Sequence, residues 1–364
     1  MKIKASKVMN CAIPKEIYLQ IENGKITAIN QDDFEETELS ISDIAEIKRL
    51  KKKIKETAAN ALLNEYKNHN TIAEILNKNF ILMDEPAMAL SAALIMEQNV
   101  IFCGRGGYGK SEMIKTLFSN ELLKDKVFIK SLNESTTEED LFGGIKMKEL
   151  MDEGSILYKT ENSFINYEIA IFEEMLDADI SVLSALKDAL SSKEVRNGIQ
   201  REVLKTKIII GLTNKSPQDV ISNNSTEALI QRFPIIQTME YPITKDVVAL
   251  MILRSMRNPL HITAEDLLKK EVLYANMDKM TPRKIMQIIK FIDSQISING
   301  NSTKIADIPT KEIFKTKETI SNNLSSTKKE FIRNTKLVIE ESRTKGLYTK
   351  KQLEEYDSII GTWK

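Results

Sequence analysis

The segment Val100-Ile-Phe-Cys-Gly-Arg-Gly-Gly-Tyr-Gly-Lys-Ser111 decides the fold. Its first four residues are apolar and bounded by a turn signal, as in a short buried strand. Gly104, Arg105, Gly106, Gly107, Tyr108, Gly109, Lys110 and Ser111 then spell G-x-x-x-x-G-K-[ST]. Met113, Ile114, Leu117 and Phe118 follow at helical spacing. Strand, glycine-rich loop and helix in this order make a phosphate cradle. The glycines let successive backbone N–H groups turn inward, and the start of the helix favours negative charge. Lys110 is expected to face the β- and γ-phosphates of ATP, and Ser111 to hold Mg2+. A chance glycine-rich turn would lack these flanking elements.

Two more strands end in polar residues of the matching kind. Ile169-Ala-Ile-Phe172 runs into Glu173 and Glu174. A hydrolytic site needs one carboxylate to order the metal and a second to polarise the attacking water. Glu173 takes the first role and Glu174 the second; in isolation the pair reads equally well as acids opening a helix. Lys207-Ile-Ile-Ile-Gly-Leu-Thr213 ends at Asn214, whose amide would orient that water. An ordinary turn asparagine is the alternative.

Outward from these motifs the chain divides into four stretches. Residues 1–80 are an N-terminal extension. It holds a hairpin, with alternating apolar residues around Asn23-Gly24, and then helical spacing through Ile44, Ile47, Leu50 and Ile54. The run Lys48-Arg49-Leu50-Lys51-Lys52-Lys53 reads as a solvated helix face rather than a nucleic-acid patch. Residues 81–243 alternate short apolar strands with helical segments, the pattern of a parallel sheet covered by helices. Residues 244–300 are expected to form a helical lid, and residues 301–364 a lysine-rich tail, helical or partly disordered.

Composition narrows the function classes. Lys plus Arg and Asp plus Glu are 52 each, so no net charge draws in nucleic acid or an anionic membrane. Two cysteines, Cys11 and Cys103, and two histidines, His69 and His261, leave neither a disulfide framework nor a Cys/His metal site. The N-terminal stretch is broken by Asn10, Pro14, Lys15 and Glu16 and makes no signal-peptide core. Ala87–Met96 is too short to cross a bilayer. The expected location is the cytoplasm, with no membrane partner.

The order of phosphate loop, strand with two acids, strand with terminal Asn, and then Ala228-Leu-Ile-Gln-Arg-Phe233 resembles the AAA+ ATPases. Thr281-Pro-Arg283, opening a later helix, adds to that likeness. Within AAA+ the intervening segments are similar to the MoxR family, its RavA-like branch included. These are Thr136-Thr-Glu-Glu-Asp-Leu-Phe-Gly-Gly144, Asp152-Glu-Gly-Ser-Ile-Leu-Tyr158 and Arg196-Asn-Gly198, the last itself a hairpin signal. The resemblance covers about residues 85–300. It implies a P-loop AAA+ α/β fold, a parallel five-stranded sheet flanked by helices, with a helical lid and small N- and C-terminal additions.

The resemblance also implies roles. Arg232 matches the arginine finger that reaches a neighbouring subunit's ATP, and Arg283 the lid arginine that senses the γ-phosphate. In isolation Arg232 reads as a surface helix residue, and Thr281-Pro282 as an ordinary helix start. A homo-oligomeric, hexameric ring follows, with ATP and Mg2+ as cofactors and ATP hydrolysis to ADP and phosphate as the reaction. The leading expectation is a chaperone-like ATPase that remodels or matures a protein partner, including a separate chain with a von Willebrand A domain. Asp179-Ile-Ser-Val-Leu183 lacks the last serine of the D-x-S-x-S metal pattern of such domains. The family carries Asp where this chain has Glu173, which leaves the hydrolysis rate open. Two rival functions remain, a nucleic-acid motor drawing on Arg201, Lys205 and Lys207, and a nucleotide-gated structural ring with little turnover.

Overall fold

A computed structural model describes residues 1–35, 37–146, 150–152, 156, 158–197, 200–223, 225–241, 247, 251 and 281–299. The expected tail 301–364, most of the expected lid, and Gly198 lie outside the described residues. Two compact units emerge. One joins Met1–Arg105 with Lys110–Met239; the other joins Gly106–Gly109 with the residues from Glu240 onward.

In the first unit, five parallel strands form the central sheet. They are β4 (Val100–Cys103), β5 (Val127–Ser131), β8 (Ile169–Glu173), β11 (Ile208–Leu212) and β12 (Ile235–Thr238), in the order β12-β4-β11-β8-β5. Parallel strands covered on both faces need apolar residues throughout, and β4 and β11 are buried at every position. Successive residues point to opposite faces. Val100, Phe102, Ile169, Ile171, Ile208 and Ile210 therefore enter one apolar cluster, while Ile101, Cys103, Ala170, Phe172 and Ile209 enter another. This is the expected five-stranded P-loop sheet.

The first cluster is completed by N-terminal elements. Strands β1 (Lys2–Lys4), β2 (Tyr18–Glu22) and β3 (Lys25–Ile29) form an antiparallel sheet that contributes Ile3, Leu19 and Ile21. The β2–β3 hairpin turns at the expected Asn23-Gly24, with φ of 49° and 74°. Two positive φ values match the right-handed twist of the strands, and this is why Asn-Gly suits the position. Helix α1 (Ala5–Met9) follows β1. Helix α2 (Ile41–Glu65) starts at a capping box in which Ser40 Oγ accepts the Asp43 N–H and Asp43 accepts the Ser40 N–H. Leu50, Ile54 and Leu62 face inward, whereas Lys48, Arg49 and Lys51–Lys53 are exposed. The basic run is thus a solvated helix face. Helices α3 (His69–Leu76), α4 (Asp84–Met96) and α5 (Lys110–Phe118) close this side.

The second cluster lies under α6 (Glu138–Phe142) and α7 (Ile180–Ser192), the latter burying Val182, Leu183, Leu186 and Leu190. Two small hairpins stand beside it, β6 (Gly144–Ile145) with β7 (Tyr158–Lys159), and β9 (Glu194–Asn197) with β10 (Gln200–Val203). In the latter, Asn197 pairs with Gln200 as a strand residue. The hairpin expected around Asn197-Gly198 is therefore formed, with residues 198–199 outside the described residues. Helices α8 (Pro217–Ser222) and α9 (Glu227–Ile230) lead into β12.

In the second unit, helix α10 (Pro282–Asn299) opens with proline in its first turn and buries Ile285 and Ile289, four residues apart. Among the described residues, no helix is long and apolar enough to cross a membrane.

Candidate functional site

The carboxyl ends of β4, β11 and β8 lie level. Gly211 pairs with both Ile101 and Phe172, so Cys103, Thr213 and Glu173 emerge at one edge of the sheet. Ligands of open parallel sheets bind at that edge. The predicted residues of the first unit at that edge are Gly104 and Arg105 after β4, Glu173 at the end of β8 with Glu174 following it, and Asn214 after β11.

The loop after β4 takes the shape its glycines permit. Gly104, Gly107 and Gly109 have φ of 127°, 94° and 92°, a region side chains rarely enter. At its start, the Gly104 N–H donates to Lys215 O at 2.9 Å. At its end, Lys110 is 6% exposed; its ammonium donates to Gly104 O and, at 3.0 Å, to Arg105 O. A lysine folded back across its own loop holds positive charge inside a ring of backbone groups. Ser111 is half-buried in the first turn of α5.

Within the second unit the crown of the loop meets the start of α10. Gly107 O accepts the Arg283 N–H at 3.2 Å. A Cβ on Gly107 would sit 2.9 Å from Thr281 Oγ1, so a side chain there would push Thr281 away. Tyr108 is buried and packs edge to face against Tyr241 at 5.2 Å. Burial lifts the Tyr241 hydroxyl far above its usual range, and Tyr108 adds to the effect.

The two acids differ in what surrounds them. Glu173 closes β8, and its Oε1 is enclosed with no hydrogen-bond partner, unlike every other buried side-chain nitrogen or oxygen among the described residues. Buried carboxylate oxygens are normally satisfied, so such an atom marks a place for a cation or a donor that the fold does not supply. Glu174 is exposed and left-handed, with φ 53° and ψ 36°. That conformation costs a non-glycine residue about 1–2 kcal/mol. It throws the chain into the short turn Met175–Asp177, which Asp177 N–H closes onto Glu174 O at 2.9 Å.

Asn214 is exposed just past β11. Its neighbour Lys215, which the motif does not single out, reaches the turn after β8. Lys215 Nζ donates to Leu176 O at 2.8 Å and lies 3.8 Å from the Asp177 carboxylate. No sequence signal marks this lysine, because its partners are distant in the chain.

Arg232 is not at that edge. Asn99, just before β4, donates from Nδ2 to Arg232 O and accepts the Ile209 N–H, both at 2.8 Å. Arg232 is therefore anchored at the amino end of the sheet, about 13 Å along β4 from the phosphate loop. Its Nε donates to Ser191 Oγ at 2.9 Å, and a terminal nitrogen donates to Ala228 O.

The same chain resembles known proteins. Residues 67–275, more than half of it, match the family described as the MoxR domain in the MoxR-vWA-beta-propeller ternary systems. The chain belongs to this MoxR family. Two uncharacterized proteins of Methanocaldococcus jannaschii, MJ0812 and MJ0079, are each 28% identical to this MoxR protein over 162 residues, or 44% of the chain. The alignments take in 42% and 41% of those proteins, so the chain matches less than half of their length. Among solved structures, a Thermotoga maritima RuvB variant has a TM-score of 0.45 at 15% identity, covering 66% of this chain and 73% of its own. NtrX of Brucella abortus has a TM-score of 0.46 at 12% identity, covering 88% and 80%.

Proposed function

We propose that this MoxR chain is an ATP-hydrolysing subunit of a ring, probing and remodelling a protein partner through cycles of nucleotide binding and turnover. The observation that carries the reading is the convergence at one sheet edge of three features: Lys110 folded back onto the carbonyls of Gly104 and Arg105, a buried Glu173 oxygen without a donor, and a left-handed Glu174. Unsatisfied and strained groups gather where function needs them.

In this reading the N–H groups of Gly104–Gly109 and the Lys110 ammonium bind the phosphates of ATP. Ser111 and Glu173 hold Mg2+, and the unpartnered Oε1 fits a hydrated cation. Once bound, Mg2+ neutralises the charge of the β- and γ-phosphates. Glu174 takes a proton from water as general base, and Asn214 orients that water. Arg232 acts on the neighbour's nucleotide; its anchorage at the amino end of β4 supports a role outside its own site. Arg283 senses the γ-phosphate from the lid. A finger used in trans calls for a closed ring, for which six copies is the family's arrangement.

The partner is proposed to be a separate protein with a von Willebrand A domain, in line with the ternary systems named in the family description. In this chain Asp179 is a helix cap, its Oδ1 accepting the Ser181 N–H at 2.8 Å. The nucleic-acid motor draws less support, because Lys205 is bonded to Asn166 Oδ1 at 3.0 Å and Lys207 to Glu97 at 3.2 Å. ATPase measurements test all three readings. Magnesium-dependent turnover that DNA leaves unchanged and a captured partner raises is the expected result. Stimulation by DNA alone would favour the motor. Tight ATP binding with turnover well below about one per minute, against typical enzyme rates, would favour the structural ring. Partner capture on Glu174→Gln rings in ATP, read by mass spectrometry, identifies the substrate.

A further inference from the structure

We propose that Lys215 is a positioning residue for the hydrolytic step, and that its ammonium holds Glu174 in register with Asn214 and the phosphate loop. The proposal rests on the ATPase reading above and adds a residue that the motifs do not contain.

Three motifs meet at this one residue, two through its backbone and one through its side chain. Through its backbone, Lys215 continues directly from Asn214, and its carbonyl accepts the Gly104 N–H at 2.9 Å, fixing where the phosphate loop leaves β4. Its own N–H donates to Thr213 Oγ1 at 3.3 Å, which tightens the turn carrying Asn214. Through its side chain it reaches the turn after β8, donating to Leu176 O at 2.8 Å beside the Asp177 carboxylate at 3.8 Å. That turn is the one whose first residue is Glu174, and Asp177 N–H closes it onto Glu174 O.

The physical need for such a brace is specific. Glu174 is left-handed, a conformation that persists only where the surroundings over-determine it. The turn it opens has few constraints of its own. Met175 and Leu176 are buried below it, but Leu176 O lies at the end of the sheet with a lysine as its donor. A charged donor makes a stronger bond to a carbonyl than a neutral one. The nearby Asp177 carboxylate, 3.8 Å away, attracts the ammonium and keeps it pointed at the turn. A general base must be held in its productive geometry to be effective, and a misplacement of about 1 Å can lower a rate a hundredfold. Lys215 is partly exposed, 36% of its side chain, so removing its charge opens no cavity in the core.

The test compares Lys215→Met, which keeps the aliphatic stem, with Lys215→Arg, which keeps the charge, in the full chain. Expected for Lys215→Met is a fall in kcat of about tenfold, with KM and the affinity for fluorescent ATP within about twofold of the parent. Lys215→Arg should restore at least half of kcat. Hydrogen exchange supplies a readout that needs no turnover: amides of Met175–Asp177 should exchange faster in Lys215→Met, while those of β8 and β11 stay protected. Parent-like kcat in Lys215→Met overturns the positioning role. So does a fall in kcat that tracks an equal loss of ATP affinity and that Arg does not rescue. Unchanged exchange of Met175–Asp177 overturns the brace. If the parent binds ATP without hydrolysing it, the ATPase reading fails instead, and the exchange result still decides whether Lys215 holds the turn. Should Lys215→Met not accumulate as folded protein, Lys215→Gln replaces it, with the same outcomes read.

Discussion

The core beneath the N-terminal sheet and the carboxyl edge of the parallel sheet treat polar groups in opposite ways. In the core, buried polar groups are matched. Tyr66 is fully enclosed, and its hydroxyl donates to Leu117 O at 2.9 Å, while burial holds its proton on far above the usual range. Ser91, 3% exposed, donates to Lys67 O, and Asn99 uses both ends of its amide. At the sheet edge a carboxylate oxygen is enclosed with no donor, and the next residue is left-handed. One region is arranged for stability and the other for chemistry. Mutations should therefore separate the two: at the edge, activity should fall without loss of stability, and in the core the reverse.

The largest expected effects fall on the residues proposed to act on ATP. Glu174→Gln, nearly isosteric, should retain ATP and stop turnover, because an amide cannot accept the proton. Arg232→Ala should lower kcat by about three to five powers of ten, the range measured for arginine fingers in GTPases. Arg232→Ala and Lys110→Ala subunits should each be inactive alone and partly active when mixed, since some interfaces then pair an intact loop with an intact finger. Mixed rings that form yet stay inactive would return Arg232 to the structural role its bonds to Ser191 and Ala228 already describe. Next in size, Lys110→Ala should weaken ATP binding by about ten- to a hundredfold, the loss of a charge-assisted contact. A fluorescent-ATP titration with parent-like affinity would remove Lys110 from the site.

A pair of conservative changes sharpens the comparison directly. Tyr66→Phe removes one buried hydrogen bond and should cost about 1 kcal/mol, or roughly 2–4 °C in Tm for a unit of this size. Its ATPase activity should match the parent. Glu173→Gln replaces a side chain whose enclosed oxygen has no donor in the fold, so Tm should not fall, while the magnesium requirement of turnover should rise. Thermal melts and magnesium titrations of the two variants check both halves. A Tm loss in Glu173→Gln equal to that in Tyr66→Phe would make Glu173 an ordinary structural carboxylate.

What the sequence reveals follows the same division. The loop Gly104–Ser111, the strand ending in Glu173 and the strand ending at Asn214 are legible because each is a short apolar run bounded by its own motif. The Asn23-Gly24 turn is legible for a similar reason, since both residues that need positive φ are adjacent. The hairpin around Asn197-Gly198 is legible too, from the same dipeptide signal. Its register, with Asn197 opposite Gln200, is a detail that a dipeptide signal leaves open. Strand β1, Lys2-Ile3-Lys4, alternates but is only three residues long, too short for the pattern to stand out. Contacts across the chain are invisible in principle. Lys215 meets a carbonyl 39 positions away, and Asn99 one 133 positions away. The unsatisfied oxygen of Glu173 likewise depends on what surrounds it, not on the residue type.

The smallest expected effect falls between the two regions, at the start of α6. Asp140 accepts from Thr137 N–H at 2.9 Å in a capping box, and Lys130 Nζ donates to its other oxygen at 2.8 Å. The Lys130 bond, then the Thr137 N–H, hold its carboxyl down to about 2. A carboxyl whose folded-state value lies below its unfolded value stabilises the fold at pH above the unfolded value, about 3.9 for aspartate. That contribution is lost as pH falls from about 4 toward 2. Asp140 is 43% exposed, so solvent screening limits the ion pair to about 0.5 kcal/mol or less. Asp140→Asn should therefore lower Tm by only about 1–2 °C at neutral pH, and the gap between parent and variant should narrow as pH drops from about 5 to 3. Melting curves across that window check it. A gap that stays constant with pH would mean the neutral cap geometry, and not the charge held by Lys130, supplies the stability. A gap that widens on acidification would reverse the sign and overturn the ion-pair account of Asp140. The same variant should leave ATP turnover unchanged. An activity loss from so small a change in stability would tie α6 to the site, and the division between a stabilising core and a reactive edge would then have to be redrawn to include it.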